Sequence, residues 1–188
     1  MSIRPIVITG EPVLHNRASE VTDWNDELTQ LVSDMFETMD EAPGVGLAAP
    51  QVGVGLRIFT YDYPDEAGNE RRGVLINPVL ELGPISDELP DEEVESEGCL
   101  SVPGERFPLK RAETIRITGY DLNQNPVTIE AEGWFARIFQ HEFDHLEGKL
   151  YVDRLIEPYV SMAAEAIEDF GWGVPGCSWL PGHDDIDA

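Results

Sequence analysis

From Asn25 onward the apolar residues Leu28, Leu31, Val32, Met35, Phe36 and Met39 fall at i, i+3, i+4, i+7, i+8 and i+11, the stripe of an amphipathic helix. Asn25 is placed to cap it, and Pro43-Gly44 to end it. The period then changes. Leu56 to Tyr61, Gly73 to Asn77, Thr114 to Thr118 and Val127 to Ala131 read as short strands, with Ile115/Ile117 and Val127/Ile129 alternating, and Asp121 to Pro126 reads as the turn of a hairpin. A second helix is predicted from about Trp134 to Leu146, with Gly148 at C′. Its apolar residues Trp134, Phe135, Ile138, Phe139, Phe143 and Leu146 occupy more than one face, as in a buried helix. A third helix is predicted from Pro158 at N1 to Gly171, with Tyr159, Met162, Ala163, Ala166, Ile167 and Phe170 on one stripe. These elements predict an α+β protein: antiparallel sheet packed around one central helix, with a helix at each end and an acidic tail. The expected division is a single domain over residues 1–170 and a Gly/Pro/Trp-rich tail over 171–188.

Composition narrows the function. A chain of 188 residues that is 41% hydrophobic suits one compact domain with a substantial core. The 37 acids against 12 bases leave a formal charge of −25, which opposes direct contact with nucleic acid phosphates or an anionic membrane surface. The longest apolar run near the start, Ile6 to Ile8, is too short for a secretory signal, and no stretch approaches the ~18 apolar residues of a membrane span. A reducing cytoplasm is therefore expected, with Cys99 and Cys177 as free thiols. The segment Glu81 to Glu97 holds eight acids and no base, and is read as a solvated acidic loop.

The chemistry concentrates on the second helix, in His141-Glu142-Phe143-Asp144-His145. Two histidines four residues apart on a helix lie about 40° apart around its axis, so both imidazoles can reach one metal ion. Such a metal needs at least one more protein ligand, and an open position if it is to activate water. Three residues are candidates: Cys99 in the Gly-relaxed turn Glu97-Gly98-Cys99-Leu100-Ser101; Glu165, which should face water on the third helix; and Cys177, which with Cys99 would close a structural site. A further cluster, Gly44-Val45-Gly46-Leu47-Ala48-Ala49-Pro50-Gln51, allows close backbone approach to a ligand, and Gln51 offers an amide donor for an oxyanion.

Taken together and in this order, the motifs around Gly44 to Gln51, Glu97 to Ser101 and Gln140 to His145 resemble the three signature motifs of the peptide deformylases, over about residues 3 to 170. The resemblance implies a bacterial-type, cytoplasmic, monomeric enzyme that removes the formyl group from the N-terminal formyl-methionine of nascent chains. It implies Cys99, His141 and His145 as metal ligands, with ferrous iron as the usual ion and Zn²⁺, Ni²⁺ or Co²⁺ as substitutes. Glu142 becomes the general base and acid, attack on the formyl carbonyl being by metal-activated water. Gln51 and the Leu100 N–H stabilise the oxyanion, and Gly46 hydrogen-bonds the peptide backbone. The methionine pocket lies near Val45, Ile138 and His141, with Arg137 at its rim, and Arg106 lies along the substrate's path.

Two other readings compete. An HExxH endopeptidase would use Glu165 as third ligand, and a non-catalytic zinc-stapled module would use Cys99, Cys177, His141 and His145. In the second, Glu142 and Gln51 have no task. Some deformylases dock on the ribosome through a basic C-terminal helix. Here Pro158 to Ala188 carries six acids and neither Lys nor Arg, so direct docking on RNA is not expected.

Overall fold

The computed structural model describes residues 2–42, 44–65 and 67–184. Pro43, placed at the end of the first helix, and the acidic residues Asp185 and Asp187 lie outside the described residues. In chain order the elements are β1 (Ile6–Val7), α1 (Asp26–Glu41), β2 (Gly46–Ala48), β3 (Ile58–Asp62), β4 (Arg72–Leu82), β5 (Ser96–Cys99), β6 (Val102–Pro108), β7 (Thr114–Tyr120), β8 (Pro126–Glu132), α2 (Gly133–Leu146), α3 (Tyr159–Asp169) and β9 (Ser178–Trp179). A five-stranded antiparallel sheet runs β2-β3-β4-β7-β8, and two smaller antiparallel pairs, β5-β6 and β1-β9, complete the β structure.

Local chemistry accounts for the boundaries. The Asn25 side chain accepts from Leu28 N at 3.0 Å and caps α1, whose stripe of Leu28, Leu31, Val32, Met35 and Met39 is buried. The β7-β8 hairpin closes where the Asp121 carboxylate accepts from the backbone N–H of Asn123 and Asn125. Helix α2 stops at Gly148, whose φ of +71° suits glycine at C′. Strand β4 runs past its expected end at Asn77 to Leu82, because a bulge between Ile76 and Val79 lets the chain resume pairing beyond Pro78. Proline offers no donor to a ladder and is tolerated at such a bulge.

Helix α2 is buried on most of its surface. Phe135 and Phe139 pack on the main sheet, with ring centroids 5.0 Å apart for Tyr61 and Phe139 and 5.9 Å for Phe59 and Phe139. That contact leaves Glu142 against Gly46 of β2 and turns His141 and His145 toward Glu97 and Cys99 of β5. The third helix differs from expectation. Pro158 is the residue before its first turn, and of the predicted stripe only Ala163 is buried, while Met162 and Phe170 are exposed. Phe170 stacks on Trp172, with centroids 4.6 Å apart, instead of entering the core.

Past Gly171 the chain returns to the body of the protein. Ile8 N donates to Cys177 O at 3.0 Å, Ser178 and Trp179 pair with Val7 and Ile6, and the Trp179 ring lies in the core beside α1. Its indole N–H donates to Leu100 O at 2.9 Å. Trp179→Ala removes a large buried ring and a satisfied donor. It is expected to cost about 3–5 kcal/mol of stability in denaturant-induced unfolding.

Candidate metal centre and active site

Strand β5 supplies the first half of the site. Side chains on a strand alternate, so Glu97 and Cys99 share the buried face while Gly98 faces outward. Helix α2 supplies the other half, with the His141 and His145 ring centroids 5.1 Å apart. The potential ligand atoms of Cys99, His141 and His145 all lie within 4.8 Å of one another, and Cys99 Sγ is 3.4 Å from His145 Nε2. Bonds of about 2.3 Å to sulfur and about 2.1 Å to nitrogen put a tetrahedral S···N edge at about 3.6 Å. One thiolate and two imidazoles in this geometry fit a transition metal of the Fe, Co, Ni or Zn type, and not Mg²⁺ or Ca²⁺. Glu165 and Cys177 are not in this group: Glu165 is exposed on α3, and Cys177 lies beside β1.

Glu142 is buried, and its Oε2 finds no hydrogen-bond partner among the described residues. Burial, above all, and the carboxylates Glu97 and Asp144 push its carboxyl up to about 7, against the opposite pull of His141 and Arg111. The reason for glycine at position 46 is now visible. A Cβ there would overlap the Glu142 carboxylate, so Gly46 leaves the room in which that carboxylate lies. Gln51 is oriented by its own turn: its Oε1 accepts from Ala48 N at 2.9 Å, leaving Nε2 facing Cys99 Sγ at 3.7 Å and Ser101 Oγ at 3.4 Å. Both contacts are long, so this amide retains donor capacity.

A cavity of about 430 Å³ opens onto these groups. Val45, Gly46, Gln51, Cys99, Leu100, Arg106, Arg137, Ile138, His141 and Glu142 all line it, and His145 lies just behind, almost fully buried. A larger hollow of about 670 Å³ over the β7-β8 edge is lined by none of them. Arg137 is at the cavity, but its guanidinium is engaged: it donates to Glu97 Oε1 at 2.8 Å and Leu109 O at 2.6 Å, and it lies over the Trp134 ring.

The segment read as a solvated acidic loop does not behave as one at its ends. Glu81 belongs to β4, Glu95 pairs with Lys110 at 2.7 Å and Arg137 at 3.4 Å, and Glu97 is buried. Although burial opposes its charge, hydrogen bonds from Arg111 and His141 hold the Glu97 carboxyl well below the usual carboxylate range. Arg111 also donates to Asp144 at 2.6 Å, and Asp144 receives Arg154 as well. Charge counting alone missed Glu97. The signal was its place two residues before Cys99 on one strand face.

A family model described as polypeptide deformylase matches residues 3–160. The chain belongs to that family. It is 52% identical over 190 residues to a peptide deformylase of Mycolicibacterium paratuberculosis, covering 97% of this chain and 96% of the relative, and 52% identical to one of Mycobacterium marinum with the same coverage. Among solved structures, a peptide deformylase from Legionella pneumophila superposes with a TM-score of 0.77 at 36% identity, covering 90% of this chain and 96% of that one. One from Ehrlichia chaffeensis in complex with actinonin gives 0.78 at 36%, with the same coverage. Membership makes the protein a metal-dependent hydrolase that deformylates N-formylmethionyl peptides. The grouping of donors separates the three candidate ligands. Metal analysis is expected to find the ion lost from Cys99→Ala and retained at wild-type stoichiometry in Glu165→Ala and Cys177→Ser.

Proposed function

We propose that Cys99, His141 and His145 hold the catalytic metal and that Glu142 moves the protons of formyl hydrolysis. The convergence of those three ligand atoms beside the unpartnered Glu142 carboxylate in one cavity carries this reading. When bound by these three residues, the ion would act as a Lewis acid and lower the pKa of a water far below its bulk value, toward about 7. Glu142 accepts the proton that water gives up as its oxygen attacks the formyl carbon. Gln51 Nε2 and the Leu100 N–H donate to the oxyanion that forms, each contributing about 3 kcal/mol. Glu142 then returns the proton to the methionine nitrogen as the C–N bond breaks, so that a neutral amine and formic acid leave, the acid giving its remaining proton to solvent as formate. Gly46 offers edge-strand backbone to the peptide, Val45 and Ile138 border the methionine side chain, and Arg106 meets the chain beyond it.

Ferrous iron is the proposed native ion, with Zn²⁺, Ni²⁺ or Co²⁺ able to replace it, because the mixed thiolate and imidazole set accepts all four. A monomer is proposed, since the proposed chemistry calls for no residue from a second copy. The proposed setting is the cytoplasm, where nascent formylated chains arise; among the described residues no helix is long and apolar enough to cross a membrane. The proposed catalytic unit, expected over residues 1–170, also draws on the segment after Gly171, since Trp179 braces the backbone at Leu100.

Two measurements test the reading. Activity on a formyl-Met peptide is expected to be higher after anaerobic than aerobic purification, since ferrous iron beside a thiolate is open to oxidation. Oxygen-indifferent activity with stoichiometric zinc would exclude iron. Glu142→Gln keeps shape but cannot carry a proton. It is expected to retain metal and thermal stability while losing about 10² to 10⁴ in rate. A near wild-type rate would remove Glu142 from the proton path.

A further inference from the structure

Among the described residues Glu97 is the buried carboxylate that hydrogen-bonds a proposed metal ligand without joining the ligand set, and formyl hydrolysis as proposed gives it no task. Its two oxygens are fully occupied. Oε1 accepts from Arg111 Nε at 2.8 Å and from Arg137 Nη1 at 2.8 Å. Oε2 accepts from Arg111 Nη2 at 2.9 Å and faces His141 Nδ1 at 3.0 Å. A carboxylate gripped by two guanidiniums can only accept, so the imidazole nitrogen facing it must carry the hydrogen. The proton of neutral His141 then sits on Nδ1, and the lone pair falls on Nε2. The same clamp ties strand to helix, because Arg111 Nη1 reaches Asp144 Oδ2 at 2.6 Å, one residue before His145. His145 has no counterpart: its buried Nδ1 has no partner among the described residues. Among the described residues, a side-chain partner at Nδ1 thus orients His141 and not His145.

We propose that Glu97 is a positioning residue, whose clamped carboxylate fixes the tautomer and ring plane of His141 and so presents Nε2 to the metal. The inference rests on the ligand assignment made above. Partners of this kind typically change metal affinity by 10- to 100-fold when removed.

The test uses the full chain with Co²⁺ as probe. Glu97→Gln is expected to weaken Co²⁺ binding about 10- to 100-fold in competition with a chelator, and, at saturating Co²⁺, to lower kcat on a formyl-Met peptide with KM within about twofold. Arg154→Ala, which loosens Asp144 from the far side and leaves Glu97 on His141, is expected to bind Co²⁺ within about twofold of wild type. A folded Glu97→Gln with wild-type Co²⁺ affinity, or equal losses in both variants, would overturn the proposal. The wild-type protein gives a second reading that does not depend on a variant folding. In the Zn²⁺-loaded, ¹⁵N-histidine-labelled protein, His141 is expected to show a proton bonded to Nδ1 and none on Nε2, and the opposite tautomer would refute the assignment. Failure of the underlying functional reading has a separate signature, a metal-loaded wild-type protein that leaves the peptide intact. The Nδ1 proton and the Co²⁺ affinity then still decide the role of Glu97.

Discussion

The structure depends on one junction, where the buried face of β5 meets the polar face of α2. A thiol from a strand and two imidazoles from a helix reach one point only if strand and helix are locked in register and angle. Apolar packing does not supply that lock on this side, because the meeting faces carry Glu97, Cys99, His141, Glu142, Asp144 and His145. Charge supplies it instead. Arg111 bridges Glu97 on the strand and Asp144 on the helix, Arg137 reaches from the helix back to Glu97, and Gln140 pairs its amide with both backbone groups of Ala112 at 2.9 and 3.0 Å. Buried charges are costly unless paired and hydrogen-bonded, and such a network, once complete, tolerates few other arrangements.

The opposite face of α2 is held by ordinary packing, and the division of labour matters. Phe135 and Phe139 lodge among Phe59, Tyr61 and Leu75, setting how far the helix stands from the sheet. That spacing decides what the edge strand β2 can carry. With Gly46 against Glu142, the strand comes close enough to enclose the carboxylate, strip it of water and raise its affinity for a proton. A side chain there would displace the carboxylate from this position or push the strand away. The turn that follows orients Gln51 by spending its carbonyl oxygen on Ala48 N. Its amide nitrogen is then committed to the cavity before any substrate arrives, as electrostatic preorganisation requires.

Periodicity located the helices and the main strands because α1, α2 and the β7-β8 hairpin carry their own capping and alternation. It stopped β4 at Asn77, since a proline and a bulge break the local pattern while pairing continues beyond them. It passed over β1, β2, β5 and β9, which are two to four residues long, and over the seven-residue β6, whose alternation Pro103 and Gly104 break; β1 and β9 exist only through each other, far apart in sequence. The same limit applies to the site. Cys99, His141, Glu142 and His145 stand out as residue types at telling spacings. Arg111, Asp144 and Glu97 do not, since an arginine, an aspartate and a glutamate in an acid-rich chain look like surface until the fold buries them together. On α3 the error ran the other way. A stripe of apolar residues promised a packed helix, but only Ala163 is fully covered, with Tyr159 and Ile167 partly buried beside it.

The charge imbalance takes on a different meaning at this scale. With 37 acids and 12 bases, each cation has a surplus of carboxylates to choose among. Nine bases are in ion pairs among the described residues: Arg4, Arg17, Arg57, Arg71, Arg72, Lys110, Arg111, Arg137 and Arg154. Four of these nine, Lys110, Arg111, Arg137 and Arg154, bind Glu95, Glu97 or Asp144 around the junction of β5 and α2. A third of the chain's twelve bases thus lie behind the proposed ligands, where they neutralise Glu95 and the buried carboxylates Glu97 and Asp144. At the cavity itself, Arg137 is committed to Glu97, whereas Arg106 lines the opening without an ion pair among the described residues. Arg106 is thus the arginine at the cavity whose guanidinium no carboxylate holds among the described residues. Its charge would attract an acidic segment following a formylated residue while the acidic exterior would repel one, so the two fields oppose each other at the mouth.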